Sequence, residues 1–158
     1  MRPRVRWRED LKLAFGDAKG ALSVLERRYV RGVERAHGLP TARRQARVWQ
    51  GTGNRYLDNL YEEYRACVEI DGAAAHPADE QWRDKRRDNW NLVHKGIVTI
   101  RLGLLDLGDR RCETARDVAT RLRDSGWPSA PHPCHDPACV FHDRGQLLSP
   151  ATQNWPRS

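Results

Sequence analysis

The stretch from Arg43 to Gly72 narrows the folds open to this chain more than any other. "RRQARVWQ" (43–50), "RYLDNLY" (55–61) and "RACVEIDG" (65–72) each read as a strand. Gly51, Gly53 and Asn54 break the first run from the second, Glu62 and Glu63 the second from the third, and Gly72 ends the third. Val68 and Ile70 alternate with Glu69 and Asp71, the period of two that sends successive side chains to opposite faces. Strands joined this closely pair antiparallel, because a parallel crossover needs a dozen or more residues. The three runs predict an antiparallel meander and argue against a dinucleotide-binding βαβ unit.

Helical patterns surround the meander. Residues 1–20 are basic, with Trp7, Leu11, Leu13, Ala14 and Phe15 apolar, and read as an arm or short helix. "SVLE" (23–26) has capping-box spacing, and Leu25, Tyr29 and Val33 then share a face. These features predict a helix from about 24 to 37, stopped at Gly38 and Pro40. "ADEQWRDKRRDNWNLVHKG" predicts a second helix over 79–95, capped by Asp79 and ended by Gly96. "IVTIRL" (97–102) follows as a fourth strand, and 113–124 as a last helix with Val118 and Leu122 inward. From Gly126 onward prolines, histidines and isolated apolar residues predict an irregular or disordered tail. The expectation is an α/β fold: a mixed sheet of about four strands flanked by helices. Its divisions are an arm (1–20), a domain (21–125) and a tail (126–158).

At 158 residues the chain has the size of one domain with appendages, long enough to bury a core without disulfides. Lysine and arginine number 28 against 21 acids, a net +7 weighted toward arginine. Arginine forks match phosphate oxygens, so DNA is the expected partner; the codon usage of a G+C-rich genome would give the same excess. The charged stretch at residues 1–20 resembles no secretion signal, so none is expected, and no apolar run reaches membrane length. The four cysteines, at 67, 112, 134 and 139, form no disulfide framework, which predicts a cytoplasmic protein with reduced thiols. Cys67 sits among apolar neighbours and reads as core. The tail's His132, Cys134, His135, Cys139 and His142 are soft ligands that suit zinc. The C-x4-C spacing has no second paired knuckle, however, so an unstructured tail is the expectation.

Three carboxylates on adjacent strands pose the chemical question. Asp58 ends one run, while Glu69 and Asp71, two residues apart, are expected on one face of the next. Hard oxygen ligands of this kind hold the divalent ion that phosphodiester hydrolysis requires. His76 follows in a short loop as a candidate general acid, and Arg83 and Arg87 lie one helical turn apart to grip phosphates. The same residues also admit a bland account. The strand acids could face solvent or pair with Arg101, the helix arginines could pair with Asp79, Glu80 or Asp84, and Glu26 could serve only its capping box.

Taken in order, "SVLERRYV", "GLPTARRQ", "RYLDNLYEEYRACVEIDG", His76, "RDKRRDNWNLVHKGIVTIRL" and "GWPSAPHPC" resemble the DUF559 family of bacterial endonuclease-like domains. That family is related to the very-short-patch mismatch repair endonuclease and belongs to the PD-(D/E)xK superfamily. The resemblance covers about residues 20–125. It implies a restriction-endonuclease-like core, Mg²⁺ or Mn²⁺ as cofactor, and DNA as substrate. It also implies roles: Glu26 as the first-helix acid, Asp58 as the metal-binding aspartate, and Glu69 as the acid of the (D/E)xK element. Asp71 stands where that element has lysine, a position at which this family commonly carries an acid. His76 resembles the histidine that follows the motif, while Arg87, Asn89 and Arg101 resemble residues that line or brace the site. Relatives of this kind often follow an AbiEi-like antitoxin half, which implies a winged-helix partner. Three readings stay open: a metal-dependent endonuclease, a nuclease-fold DNA-binding module of an antitoxin or regulatory system that cuts nothing, and a structural remnant.

Overall fold

A computed structural model describes residues 18–51, 53–71 and 78–142. Helix α1 (Ala18–Arg28) continues without a break into a π-helical segment, Tyr29–Arg35. The wider π turn lets Tyr29, Val33 and Glu34 all be buried. Helix α1 begins five residues before Ser23, so Ser23 and Glu26 lie inside it and form no capping box. Glu26 is thereby left for other work.

Strands β1 (Arg43–Trp49), β2 (Asn54–Tyr61) and β3 (Ala66–Ile70) form the expected antiparallel meander. A short 3₁₀ turn, Glu62–Tyr64, joins β2 to β3, and Arg65 closes it in the left-handed conformation at φ 46°. Helix α2 (Ala78–Lys95) leads to β4 (Val98–Leu102), which pairs parallel to β3 with Arg101 opposite Glu69. The sheet order is β1-β2-β3-β4, and helix α3 (Arg111–Asp124) follows. The architecture is α/β, a mixed four-stranded sheet with three helices.

Strand β3 is central and wholly buried, so its two faces define two cores. Val68 and Ile70 pack with Leu25, Tyr29 and Val33 of the first helical segment and with Val118 and Leu122 of α3. Cys67 faces the other way, beside Ala46, Leu57, Leu60 and Ile97, as its apolar neighbours predict. Helix α2 lies on this second side, where Asn91 accepts a 2.6 Å hydrogen bond from Gln50. Residues 126–142 contain no helix or strand. They are nonetheless packed, for Trp127, Cys139 and Phe141 belong to the larger core. Disorder therefore does not describe this part of the tail. Among the described residues no helix is long and apolar enough to cross a membrane.

Candidate functional site

The β2–β3 ladder stops at the pair Asn59–Val68. One step on, where Asp58 and Glu69 would pair, their side chains take over the bonding. The Asp58 N–H donates to Glu69 Oε1 at 3.4 Å, and the Ile70 N–H donates to Asp58 Oδ2 at 3.1 Å. On the other flank Gln45, at φ 45°, donates its side-chain amide to Asp58 Oδ1 at 3.0 Å. Asp58 thus sits in a fork between strands, its carboxylate held by two donors.

The surroundings of this fork resist negative charge. Glu69 is buried, and its carboxyl is pushed above the ordinary range, first by burial and then by the Asp58 charge. Arg87, 3.7 Å away, and the Cys67 thiol, 3.4 Å away, work in the opposite sense. Glu26 is raised for the same two reasons, with Arg44 opposing. The charge of Asp58 is common to both shifts.

Glu26 and Asp58 also line a cleft of about 350 Å³ together with Arg27, Arg31, Arg35 and Arg44. Arg44 is held by the buried Glu34 carboxylate and by Asn59 Oδ1. Glu34 also accepts the Ala42 N–H and the Tyr61 hydroxyl, each at 3.1 Å, and the Tyr61 hydroxyl meets that of Tyr29 at 2.6 Å. Beyond the cleft, Arg47 and Tyr56 stand opposite each other on the hairpin, exposed, with exposed Trp49 two residues along. Cationic side chains thus border the carboxylates of Glu26 and Asp58, and exposed aromatics lie on the same hairpin.

A second cluster lies elsewhere. One ligand atom each from His37, Cys112, Cys134 and Cys139 falls within 4.8 Å of the others, a grouping that could hold a metal ion. Among the described residues it is the only set of three or more His, Cys, Asp or Glu side chains gathered this closely.

No family model, curated protein or solved structure matches the chain. The resemblance to endonuclease-like domains therefore rests on the sequence motifs alone.

Of the residues singled out from sequence, Asp58, Glu69 and Glu26 come together. Asp71 does not join them. It follows the end of β3, its N–H bonds to the Leu102 carbonyl, and its carboxylate pairs with Arg101 at 2.9 Å. Arg101 also binds Asp88 at 2.9 Å and Asp84 at 3.5 Å, so it braces β4 against α2. Arg87 is divided between Glu69 and Asp84. Arg83 and Asn89 are exposed on α2, and His76 lies outside the described residues. Sequence reading missed Arg27, Arg31 and Arg35, although their recurrence at every fourth position was visible. It found Cys134 and Cys139 of the sulfur cluster but missed His37 and Cys112, which come from distant segments. The tail's other histidines stay outside that cluster: His132 and His135 are exposed, and His142 Nε2 faces the Asp136 carbonyl at 3.0 Å.

Proposed function

We propose that this chain is a divalent-metal-dependent nuclease that hydrolyses DNA phosphodiesters at the fork between β2 and β3, on a restriction-endonuclease-like core. The observation that carries the reading is the pair of bonds where the strands part, Asp58 N–H to the Glu69 carboxylate and Ile70 N–H to the Asp58 carboxylate, beside an arginine-lined cleft. The donor set suits Mg²⁺ or Mn²⁺, since both groups offer hard carboxylate oxygens. The raised Glu69 carboxyl marks a place where a cation would relieve charge crowding. When bound, the ion supplies Lewis-acid polarisation of the phosphate and a nucleophilic water at neutral pH.

The remaining steps fall to the chain itself. Asp58 and Glu69 would hold the ion, and the two hydrogen bonds on the Asp58 carboxylate fix one of these ligands. Arg27 and Arg31, exposed at the cleft, neutralise the phosphates entering it. Glu26, with its elevated carboxyl, is suited to exchange a proton at the rim. His76 is the sequence's candidate for protonating the leaving oxygen.

A second reading rests on Asp71. The superfamily's lysine is missing there, and the acid present is committed to Arg101, which favours a module that binds DNA without cutting. Incubation with supercoiled plasmid and Mg²⁺ or Mn²⁺ separates the two. Nicking that disappears in Asp58→Ala and Glu69→Gln supports the nuclease. Salt-sensitive binding with no metal-dependent nicking supports the module. Neither binding nor nicking rejects both.

A further inference from the structure

We propose that His37, Cys112, Cys134 and Cys139 form a closed structural zinc site that fastens the C-terminal segment to two helices. Four ligands converge from three stretches far apart in the chain: just past the π-helical segment, the start of α3, and the loop 134–139. Cys112 and Cys134 sulfurs lie 3.7 Å apart. Tetrahedral zinc with bonds of about 2.3 Å to sulfur sets its thiolates about 3.8 Å from one another, whereas a disulfide requires about 2.05 Å. The Cys139 sulfur is 4.0 Å from the His37 ring at Nδ1.

His37 supplies the independent observation. Its Nδ1 faces the His132 carbonyl at 3.0 Å, and a carbonyl only accepts, so Nδ1 carries the proton. The lone pair is therefore on Nε2, which is buried and meets no hydrogen-bond partner. A ring oriented by a backbone carbonyl through one nitrogen, with the other bare, is the arrangement that metal-bound histidines adopt.

The loop is shaped around the ligands. Asp136 binds Arg111, beside Cys112, at 2.6 Å, accepts the Ala138 N–H at 3.0 Å, and through its carbonyl accepts the Cys139 N–H at 2.9 Å. The His132 N–H returns to the His37 carbonyl at 3.1 Å, so the two histidines grip each other through the main chain. Three of the ligands are buried and Cys134 is half-buried, leaving no open coordination position. That closure, with three thiolates and an imidazole, marks a structural zinc rather than a catalytic one. The site also accounts for the order of residues 126–142, which have no ladder or helix of their own. This inference is independent of the nuclease reading.

Total-metal analysis of the full chain, purified without chelator, tests it. Zinc should be present at one equivalent. A mercurial thiol reagent should release that equivalent, read with a zinc-binding dye, as the cluster's sulfurs react. Refolding with Co²⁺ should give the visible and near-ultraviolet bands of a tetrahedral thiolate complex. Cys139→Ser and His37→Ala should lower zinc occupancy, while Cys67→Ser should keep it. The unmodified protein carries the test if the ligand variants do not fold. Far less than one equivalent of zinc with no cobalt thiolate bands overturns the proposal. So does iron in place of zinc, a Cys112–Cys134 disulfide found by peptide mapping, or full zinc retention in folded ligand variants.

Discussion

The Asp58 main-chain N–H donates to the Glu69 carboxylate at the point where their strands stop pairing. That bond puts a buried acid beside a second acid, and the chain meets the charge with Arg87 at only 3.7 Å. Burial and Asp58 raise the Glu69 carboxyl, so folding prefers its protonated form. The stability this confers is fully present below the unfolded carboxyl range, near pH 4.3, and is lost as pH rises through the higher folded value. Urea unfolding of the metal-free protein should therefore show stability declining through that window. Glu69→Gln should flatten the decline without abolishing it, because Glu26 is raised as well. At neutral pH this variant should be at least as stable as the parent, yet unable to nick plasmid. A pH slope identical to the parent's would remove the linkage between Glu69 and Asp58.

Divalent ion binding should act through the same pair. Mg²⁺ or Mn²⁺ binds the folded state, so it should raise the thermal midpoint at neutral pH in proportion to log concentration. The rise should vanish in Asp58→Ala. Asp71→Asn should retain most of it, since Asp71 is occupied by Arg101. Calorimetry showing equal ion affinity in the parent and in Asp58→Ala would end the metal-dependent reading.

The cleft arginines should bind the phosphates. Arg27 and Arg31 are exposed on the first helical segment, so changing both to alanine should leave the fold intact. Duplex DNA affinity should fall, and the dependence of log K on log salt should become shallower by about 0.9 for each phosphate left without its cation. Arg83→Ala with Arg87→Ala tests the patch expected from sequence. Because Arg87 is engaged with Glu69 and Asp84, its loss should also disturb Glu69. Unchanged affinity in the cleft double variant at low salt would show that DNA passes elsewhere.

Much of this arrangement was legible in the residues, and the failures have physical causes. Period-two alternation and turn residues located the four strands, and the same alternation put Asp58 and Glu69 on neighbouring strands. It could not show that Asp71, just past the end of β3 at Ile70, would be claimed by Arg101, the partner of Glu69 on the neighbouring strand. Ser23 and Glu26 matched a capping box, but helix α1 had already begun at Ala18. A local spacing cannot show that a helix started earlier. His37 and Cys112 were invisible as ligands for a different reason. Zinc patterns are recognised by short spacings between paired ligands, and here only Cys134 and Cys139 are near each other in sequence. Tertiary packing of the tail against α3 and against the end of the π-helical segment supplies the other two.

The buried Glu34 carboxylate is the place where one substitution should cost most. It accepts from Arg44, the Ala42 N–H and the Tyr61 hydroxyl, and it is 2% exposed in its side chain against 34% for Arg44. Glu34→Ala would strand all three donors. Breaking one side of a buried pair typically costs about 3–5 kcal/mol, and the partial exposure of Arg44 places this case near the lower end. Urea unfolding should register that loss, and a change below about 1 kcal/mol would mean that water replaces the carboxylate.

Gly38 separates backbone strain from crowding at the edge of the sulfur cluster. Its φ is +67°, and a Cβ there would lie 2.7 Å from two ring atoms of His132. The His132 ring is exposed and can swing aside, so the crowding itself should cost little. The left-handed backbone is different, since any L side chain there costs about 1–2 kcal/mol. Gly38→Ala should therefore destabilise by about that amount, and Gly38→Asn by less, because asparagine tolerates this conformation. Adding His132→Ala should recover almost none of the loss. Metal content should stay at the parent's level in all three variants, because His132 orients His37 through main-chain atoms that no substitution touches. If His132→Ala instead restored full stability to Gly38→Ala, the ring clash rather than the backbone would be the cause.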